Sequence, residues 1–174
     1  MRKWLIIIVT LTALDLISKR IAEVYLTFGE PVSILPLLNM RLVYNTGAAF
    51  SLLSDAGGWQ RWLFVVLAIG VCIYILNWLR KLKPEETLLG YSLTLILSGA
   101  LGNLSDRIVY AKVTDFIDFY YPSTNECIYL FFNISGNSCH WPTFNFADIF
   151  ISIGAILLII SFFREERSHE THSN

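Results

Sequence analysis

The sequence predicts an all-α polytopic membrane protein with four transmembrane helices, a small extracytoplasmic sheet and an outer loop. Of its 174 residues, 55% are hydrophobic and 16% are charged, and the mean hydropathy is +0.55. This composition excludes a disordered chain and argues against an ordinary soluble domain. Four apolar runs come close to the roughly 20 helical residues that cross a hydrocarbon core about 30 Å thick. The 5 Trp and 8 Tyr suit a protein that meets two membrane–water interfaces.

The four apolar runs differ in polarity. They cover, approximately, Trp4–Ala22, Trp59–Leu79, Leu88–Leu104 and Phe146–Phe163. The second and fourth are the strongest transmembrane candidates. The first contains Asp15, Lys19 and Arg20, so it and the third require polar residues to be buried among helices. No small-x-small cleavage site follows the first run, which we therefore interpret as an uncleaved helix and not as a removable signal peptide.

Basic residues predict the orientation in the membrane. Seven of them fall on one side if the four helices cross in alternation: Arg2, Lys3, Arg80, Lys81, Lys83, Arg164 and Arg167. By the positive-inside rule, we expect both termini to be cytoplasmic. We expect one membrane domain over residues 1–174, with its core at about 5–163 and a disordered tail at about 168–174.

The two outer segments contain β-type residues and turn signals. Val32–Leu35 and Met40–Tyr44 are predicted to be short strands of a sheet on the outer membrane face. Asn45-Thr46-Gly47 is a turn signal after the second strand, and Leu52–Gly58 is interpreted as a mobile link. In the second outer segment, the run Cys127–Ile134 could form a strand.

The sequence argues against a metal site and against nucleic-acid binding. No cluster has metal-ligand spacing, and a net charge of −1 gives no electrostatic case for nucleic acid. His140 is interpreted as a loop residue and Cys72 as helix packing. Cys127 and Cys139 lie in the second outer loop and could pair, although sequence does not decide this. We expect no metal or other cofactor.

Asp115 and Asp148 lie at the same predicted edge of the membrane. Asp115 follows the third apolar run and Asp148 begins the fourth, so both face the outside in the predicted topology. A carboxylate at the edge of hydrocarbon is costly, and two carboxyls that share a site are a known way to activate water. Asp118 lies close to Asp115, and spacing alone does not choose between these two.

Asp15 and Lys19 are spaced i,i+4 in the first helix, so they share one face of it. We interpret them as an ion pair that satisfies both charges and supports a polar site between helices, and not as direct catalysts. The alternative is a self-neutralised pair that only tolerates burial.

Further polar residues gather at predicted helix ends. Gly99 and Gly102 are three residues apart, which permits close helix contact. Three polar residues follow within about one turn: Asn103, Asp106 and Arg107. They are either a polar helix end in the headgroups or a set that orients carboxylates. Asn145 and Asp148 project to one face of the opening turn of the last helix, where simple capping is the alternative.

Five motifs occur in one order along the chain. They are Asp15-x-x-x-Lys19, Asn45-x-Gly47-x-Ala49-Phe50, Gly99-x-x-Gly102-Asn103-x-x-Asp106-Arg107, Val113-x-Asp115-Phe116 and Phe144-Asn145-x-Ala147-Asp148. Together they closely resemble the lipoprotein signal peptidase (signal peptidase II) family, which are bacterial inner-membrane aspartic proteases. The resemblance covers about residues 5–163. It implies four transmembrane helices, an outer β-cradle and a catalytic aspartate pair.

By position, the resemblance assigns the catalytic pair to Asp115 and Asp148, and the Val-x-Asp-Phe match chooses Asp115 over Asp118. The other signature positions correspond to Asp15, Lys19, Asn45, Gly47, Asn103, Asp106, Arg107 and Asn145. The family implies an endopeptidase that cleaves a prolipoprotein before its diacylglyceryl-modified cysteine, without a cofactor. The expected partners are diacylated prolipoproteins and membrane lipid, and we expect a monomer that binds no nucleic acid. The segment 119–142 is longer than the family leads us to expect.

Two other classes of function fit parts of the pattern. A four-helix proton-coupled transporter would carry acids along a path through the midplane, which only Asp15 and Lys19 approach. A non-catalytic assembly subunit could use Gly99 and Gly102 for packing, but it would not need the outer aspartates.

Overall fold

The chain, in a computed structural model, is described over residues 1–47, 59–122, 133–135 and 138–172. These ranges contain four helices, which are α1 (Arg2–Tyr25), α2 (Trp59–Lys81), α3 (Thr87–Tyr110) and α4 (Phe146–His172). Each predicted apolar run lies within one of them, so all four are confirmed as helices. α4 continues to His172, beyond the predicted start of a disordered tail, because the Arg and Glu residues after Phe163 are good helix formers.

Three helical segments of the described chain are long and apolar enough to cross a membrane. They are Arg61–Lys81, Thr87–Tyr110 and Phe146–Arg164. α1 has 24 residues, which is a sufficient length, but its charged residues lower its hydropathy. The prediction of four spans is therefore confirmed only in part.

In the part of the chain that the structure describes, five strands form one antiparallel sheet in the order β1-β2-β3-β5-β4. They are β1 (Pro31–Leu35), β2 (Leu38–Asn45), β3 (Val113–Pro122), β4 (Asn133–Ser135) and β5 (Ser138–His140). The two strands predicted in the first outer segment are confirmed as β1 and β2. The class all-α understates the sheet, because β3 and β5 join it from the second outer segment. The predicted link Leu52–Gly58 and most of the run Cys127–Ile134 lie outside the described residues.

β3 follows α3 after a tight reversal of the chain. Ala111 has a φ of 62°, the left-handed conformation that commonly ends a helix. The chain thereby leaves α3 after Tyr110 and enters β3 at Val113, where it pairs with β2. No strand was predicted here, although the segment is rich in residues of high β propensity.

The chain divides into two compact units. The first comprises Met1–Asp15, Leu67–Leu104 and Phe146–Asn174, and the regular secondary structure of its described part is helical. The second comprises Leu16–Val66 and Ser105–Asn145, and it contains the whole sheet together with end segments of α1, α2 and α3. The second unit therefore carries all the β structure of the described chain.

Small residues allow close helix packing in the first unit. A Cβ added at Gly99 of α3 would meet the carbonyl oxygen of Ala147 in α4, and it would lie 2.8 Å from Cγ1 of Ile151. A Cβ added at Gly102 would meet the carboxylate of Asp15 in α1. The close helix contact predicted from this pair of glycines is therefore confirmed.

The cysteines occupy different environments. Cys139 lies in β5, is fully buried and is disulfide-bonded. Cys127, the partner that the sequence suggested, lies outside the described residues. Cys72 is a buried free thiol in α2, which agrees with its predicted packing role.

Gly99→Ala is expected to destabilise the protein, whereas Gly70→Ala is its matched control. The methyl group at position 99 collides with the backbone of α4, and overpacking typically costs about 1–3 kcal/mol. Nothing lies within 4 Å of a Cβ at Gly70, so alanine there gains a helix propensity worth roughly 0.5–1 kcal/mol. Thermal unfolding in detergent compares the two variants, and equal melting temperatures would contradict the close packing of α3 on α4.

Candidate active site

Asp115 is the third residue of β3 and is only 4% exposed. Its strand neighbour in β2 is Val43. The buried side chain of Asn145 donates from Nδ2 to Oδ1 of Asp115 at 2.6 Å. The same amide lies 3.4 Å from the carbonyl oxygen of Thr114. Asp115 is therefore a buried carboxylate with a dedicated amide donor, on a strand that is fixed by its neighbours.

The loop before α4 also fixes the backbone of β3. The carbonyl oxygen of Phe144 accepts the backbone N–H groups of Phe116 and Ile117, at 3.1 and 2.8 Å. The N–H of Phe144 donates in return to the carbonyl of Ile117 at 3.0 Å. These bonds hold residue 144 against β3, so the side chain of the next residue, Asn145, reaches Asp115.

Asp148 lies in the first turn of α4 and is half-buried. Asn103 in α3 donates from Nδ2 to Oδ1 of Asp148 at 2.9 Å. The positive end of the helix dipole also favours a negative charge at this position. An amide from another helix thus orients this carboxylate, as Asn145 orients Asp115.

Asp15 holds the same helix turn from a second side. It is fully buried, and its Oδ1 accepts the backbone N–H of Ala147 at 2.8 Å. The first N–H groups of a helix have no partner within that helix, so a carboxylate from α1 satisfies one of them here. Asp15 therefore contacts the residue directly before Asp148.

Lys19 of α1 forms a buried ion pair with Asp106 of α3. Its Nζ lies 3.2 Å from Oδ2 of Asp106, and both side chains are fully buried. Asp106 also accepts from Arg20 at 2.8 Å and from the backbone N–H of Thr114 at 3.2 Å. Lys19 and Asp15 thus each bind a group on another element, and the ion pair between them stays a prediction.

Arg107 binds groups other than those that bind the adjacent Asp106. Its guanidinium donates to the carbonyl oxygen of Gly47 at 3.0 Å and lies over the ring of Phe64. The N–H of Gly47 in turn donates to Oδ1 of Asn45 at 2.9 Å, which confirms the predicted turn. The structure thus gathers Asn45, Gly47 and Arg107 into one group at the end of β2.

Asp118 lies on the same strand as Asp115 but on its opposite face. Side chains alternate along a strand, so residues three positions apart point to opposite faces. Both carboxylate oxygens of Asp118 lie 2.9 Å from Nδ1 of His140, and Asn39 Nδ2 lies 3.5 Å from its Oδ2. The interpretation of His140 as a loop residue was wrong, because it lies in β5 and is buried.

Sequence reasoning missed two polar residues that bind signature positions, which are Arg20 and Thr114. It also missed Glu23, which binds both of these, and His140, which binds Asp118. Position was the only available signal, since Thr114 directly precedes Asp115 and Glu23 lies one turn after Lys19. Within the described ranges, no group of three or more His, Cys, Asp or Glu side chains is placed to hold a metal ion.

Comparison with known proteins places this geometry in a family context. Residues 7–164 match the family model of signal peptidase (SPase) II. The chain is 47% identical over 176 residues to the lipoprotein signal peptidase of Hydrogenovibrio crunogenus, covering 98% of this chain and 92% of the relative. It is 43% identical over 169 residues to that of Aeromonas hydrophila, covering 97% and 92%.

Two solved structures have the same fold. Both are described as bacterial membrane enzymes. The first has a TM-score of 0.77 and 27% sequence identity, and the match covers 95% of this chain and 90% of the other. The second has a TM-score of 0.72 and 28% identity, and the match covers 93% of each chain.

Lys19→Met is expected to lower thermal stability, because it removes a cation from a buried carboxylate. Breaking a buried pair typically costs about 3–5 kcal/mol, and the remaining Arg20 should keep the loss at the lower end. Adding Asp106→Asn should recover part of it, with a coupling energy of about 1–3 kcal/mol. Melting in detergent of both single variants and the double variant measures this coupling.

The matched control is Lys3→Met, since Lys3 is an exposed cation on the same helix. It should melt close to the wild type. A double variant whose loss equals the sum of the two single losses would show that Lys19 and Asp106 are not coupled.

Proposed function

Because the chain belongs to the signal peptidase II family and therefore removes signal peptides from prolipoproteins, we propose that Asp115 and Asp148 are its catalytic pair. It is an aspartic endopeptidase and a multi-pass protein of the bacterial inner membrane. Family membership favours this enzyme over the transporter and the assembly subunit that the sequence left open. The observation that carries the assignment is the 2.6 Å bond from Asn145 to a carboxylate that is 4% exposed.

Each proposed catalytic carboxylate has its own amide donor. Asn145 donates to Asp115, and Asn103 donates to Asp148. An amide fixes the rotamer of a carboxylate but brings no positive charge, so the acid keeps its capacity to exchange a proton. This supports a role for Asn103 and Asn145 in orienting the pair.

The proposed reaction is hydrolysis by an activated water. Two carboxyls that share one site hold one proton between them, because both cannot ionise easily. The ionised carboxylate takes a proton from water as the oxygen attacks the scissile carbonyl. The protonated carboxyl polarises that carbonyl and then protonates the leaving amine, so both protons are accounted for. The cut would lie directly before the diacylglyceryl-modified cysteine.

α1 is proposed to be the fourth transmembrane helix despite its charges. Lys19 is paired with Asp106, and Asp15 binds the backbone of α4. Charges that are paired inside a protein are far less costly in a membrane than charges that face lipid. The pairing therefore supports a crossing helix that composition alone would not select.

The proposed orientation places both termini in the cytoplasm. The seven basic residues on one predicted side support cytoplasmic termini, and the site would then lie at the outer face. The partners would be diacylated prolipoproteins, whose acyl chains remain in the lipid. We expect a monomer that needs no cofactor and binds no nucleic acid.

Asp115→Asn and Asp148→Asn are each expected to lower prolipoprotein cleavage by at least about 10²-fold, since the amide keeps the shape and removes the acid–base function. Cleavage of a diacylated prolipoprotein by purified protein measures the loss. Asp118→Asn is the matched control on the same strand and should keep substantial activity per folded molecule. Near wild-type rates for either member of the pair would contradict the assignment, and loss in Asp118→Asn alone would move it to Asp118.

The proposed topology predicts opposite labelling of two added cysteines in a Cys72→Ser background. A cysteine at position 170 should resist an impermeant thiol reagent in intact cells, because the C-terminus would be cytoplasmic. A cysteine at position 124 should react, since the outer loop would be accessible. The reverse pattern would invert the topology.

A further inference from the structure

We infer that Glu23, held by Arg20, positions Asp115 through Thr114. The inference rests on the proposed function, in which Asp115 is catalytic. Neither Glu23 nor Arg20 belongs to the five sequence motifs. All four residues lie in the second compact unit, so the contacts between them belong to one body.

Thr114 is held at three of its polar groups. Its hydroxyl donates to Oε1 of Glu23 at 2.7 Å. Its backbone N–H donates to Oδ2 of Asp106 at 3.2 Å, and its carbonyl lies 3.4 Å from the amide of Asn145. Thr114 is 1% exposed, so these protein groups replace the water that would otherwise solvate it. The residue before Asp115 therefore has a defined position relative to α1 and α3.

Arg20 joins the two acids that hold Thr114. One terminal nitrogen lies 2.6 Å from Oε2 of Glu23, and the other lies 2.8 Å from Oδ1 of Asp106. Its guanidinium also lies over the ring of Tyr110, at 4.2 Å from the centroid. The planar guanidinium presents its donors in a fixed fork, so it sets the spacing of Glu23 and Asp106. Thr114 spans the same two acids, because its hydroxyl binds Glu23 and its N–H binds Asp106.

The bond between Thr114 and Glu23 lies on the face of β3 opposite the Asp115 side chain. Adjacent residues of a strand point to opposite faces, so the hydroxyl of Thr114 is anchored on one side and the carboxylate of Asp115 projects from the other. Asn145 fixes that carboxylate by its 2.6 Å bond. The anchored peptide and the bound carboxylate together define where the acid sits. Misplacement of a reacting group by about 1 Å can cost roughly 100-fold in rate.

The effect on stability should be smaller than the effect on rate. The side chains of Arg20 and Glu23 are 33% and 22% exposed. Partly exposed ion pairs contribute little to folding because water screens them, and water can solvate Glu23 when its partner is removed. A positioning role therefore predicts a loss of kcat that exceeds any loss of folded protein.

Thr114→Val tests this inference, because it keeps the β-branched shape and the N–H but removes the hydroxyl. We expect kcat for cleavage of a diacylated prolipoprotein to fall about 10-fold, with KM unchanged within about 2-fold. Thr114→Ser should restore kcat to within about 3-fold of the wild type, since it returns the donor. Glu23→Ala should match Thr114→Val, and the double variant should be no slower than either single variant.

Thr94→Val is the matched control, because Thr94 is fully buried and its hydroxyl donates to the carbonyl oxygen of Gly90 in its own helix. It should leave kcat unchanged. If Thr114→Val does not fold, Glu23→Ala carries the test, since Glu23 lies partly in solvent. Unchanged kcat in the folded Thr114 and Glu23 variants, an effect on KM alone, or additive losses in the double variant would overturn the inference.

The Asp115→Asn variant, measured beside them, separates the two proposals. Activity in that variant refutes the catalytic pair. Its inactivity beside a normal Thr114→Val variant refutes only the positioning role.

Discussion

The second compact unit, which contains the sheet, depends on the contacts of one carboxylate, that of Asp106. It is fully buried and binds two cations, Lys19 and Arg20, together with the backbone N–H of Thr114. An isolated charge in such a place would be costly, and these three donors offset that cost. They come from α1 and β3, whereas Asp106 lies in α3. One side chain therefore fixes the strand that carries Asp115 against two helices.

The acids of the described chain accept from different kinds of donor. Asp106 is held by cations, which neutralise it and give it a structural role. Asp115 and Asp148 are bound by the amides of Asn145 and Asn103, which orient a carboxylate without neutralising it. Asp15 is intermediate, since it satisfies a backbone N–H at the start of α4. The amide contacts of Asp115 and Asp148 thus support their proposed role in proton exchange, whereas the cations around Asp106 support a structural one.

The small residues of α3 have a direct consequence for the proposed site. Gly99 allows the backbone of α4 to approach at Ala147, and Gly102 leaves room for the carboxylate of Asp15. Both contacts lie at the first turn of α4, where Asn103 binds Asp148. Packing and polar contacts therefore act on the same turn, so the position of Asp148 follows from how closely the helices pack.

Local sequence patterns predicted the four helices, the strands β1 and β2 and the turn at Asn45, and the order of the motifs indicated the family. These features depend on local periodicity, turn chemistry and motif order, all of which can be read from the sequence. Three contacts became apparent only in the folded protein: Lys19 pairs with Asp106, Asp15 binds the first turn of α4, and His140 pairs with Asp118. The tertiary structure also added β3 to the sheet and brought Glu23 to Thr114. These contacts join residues that are far apart in sequence, so no local pattern specifies them, and a buried charge takes whichever partner the packing of the elements brings within reach.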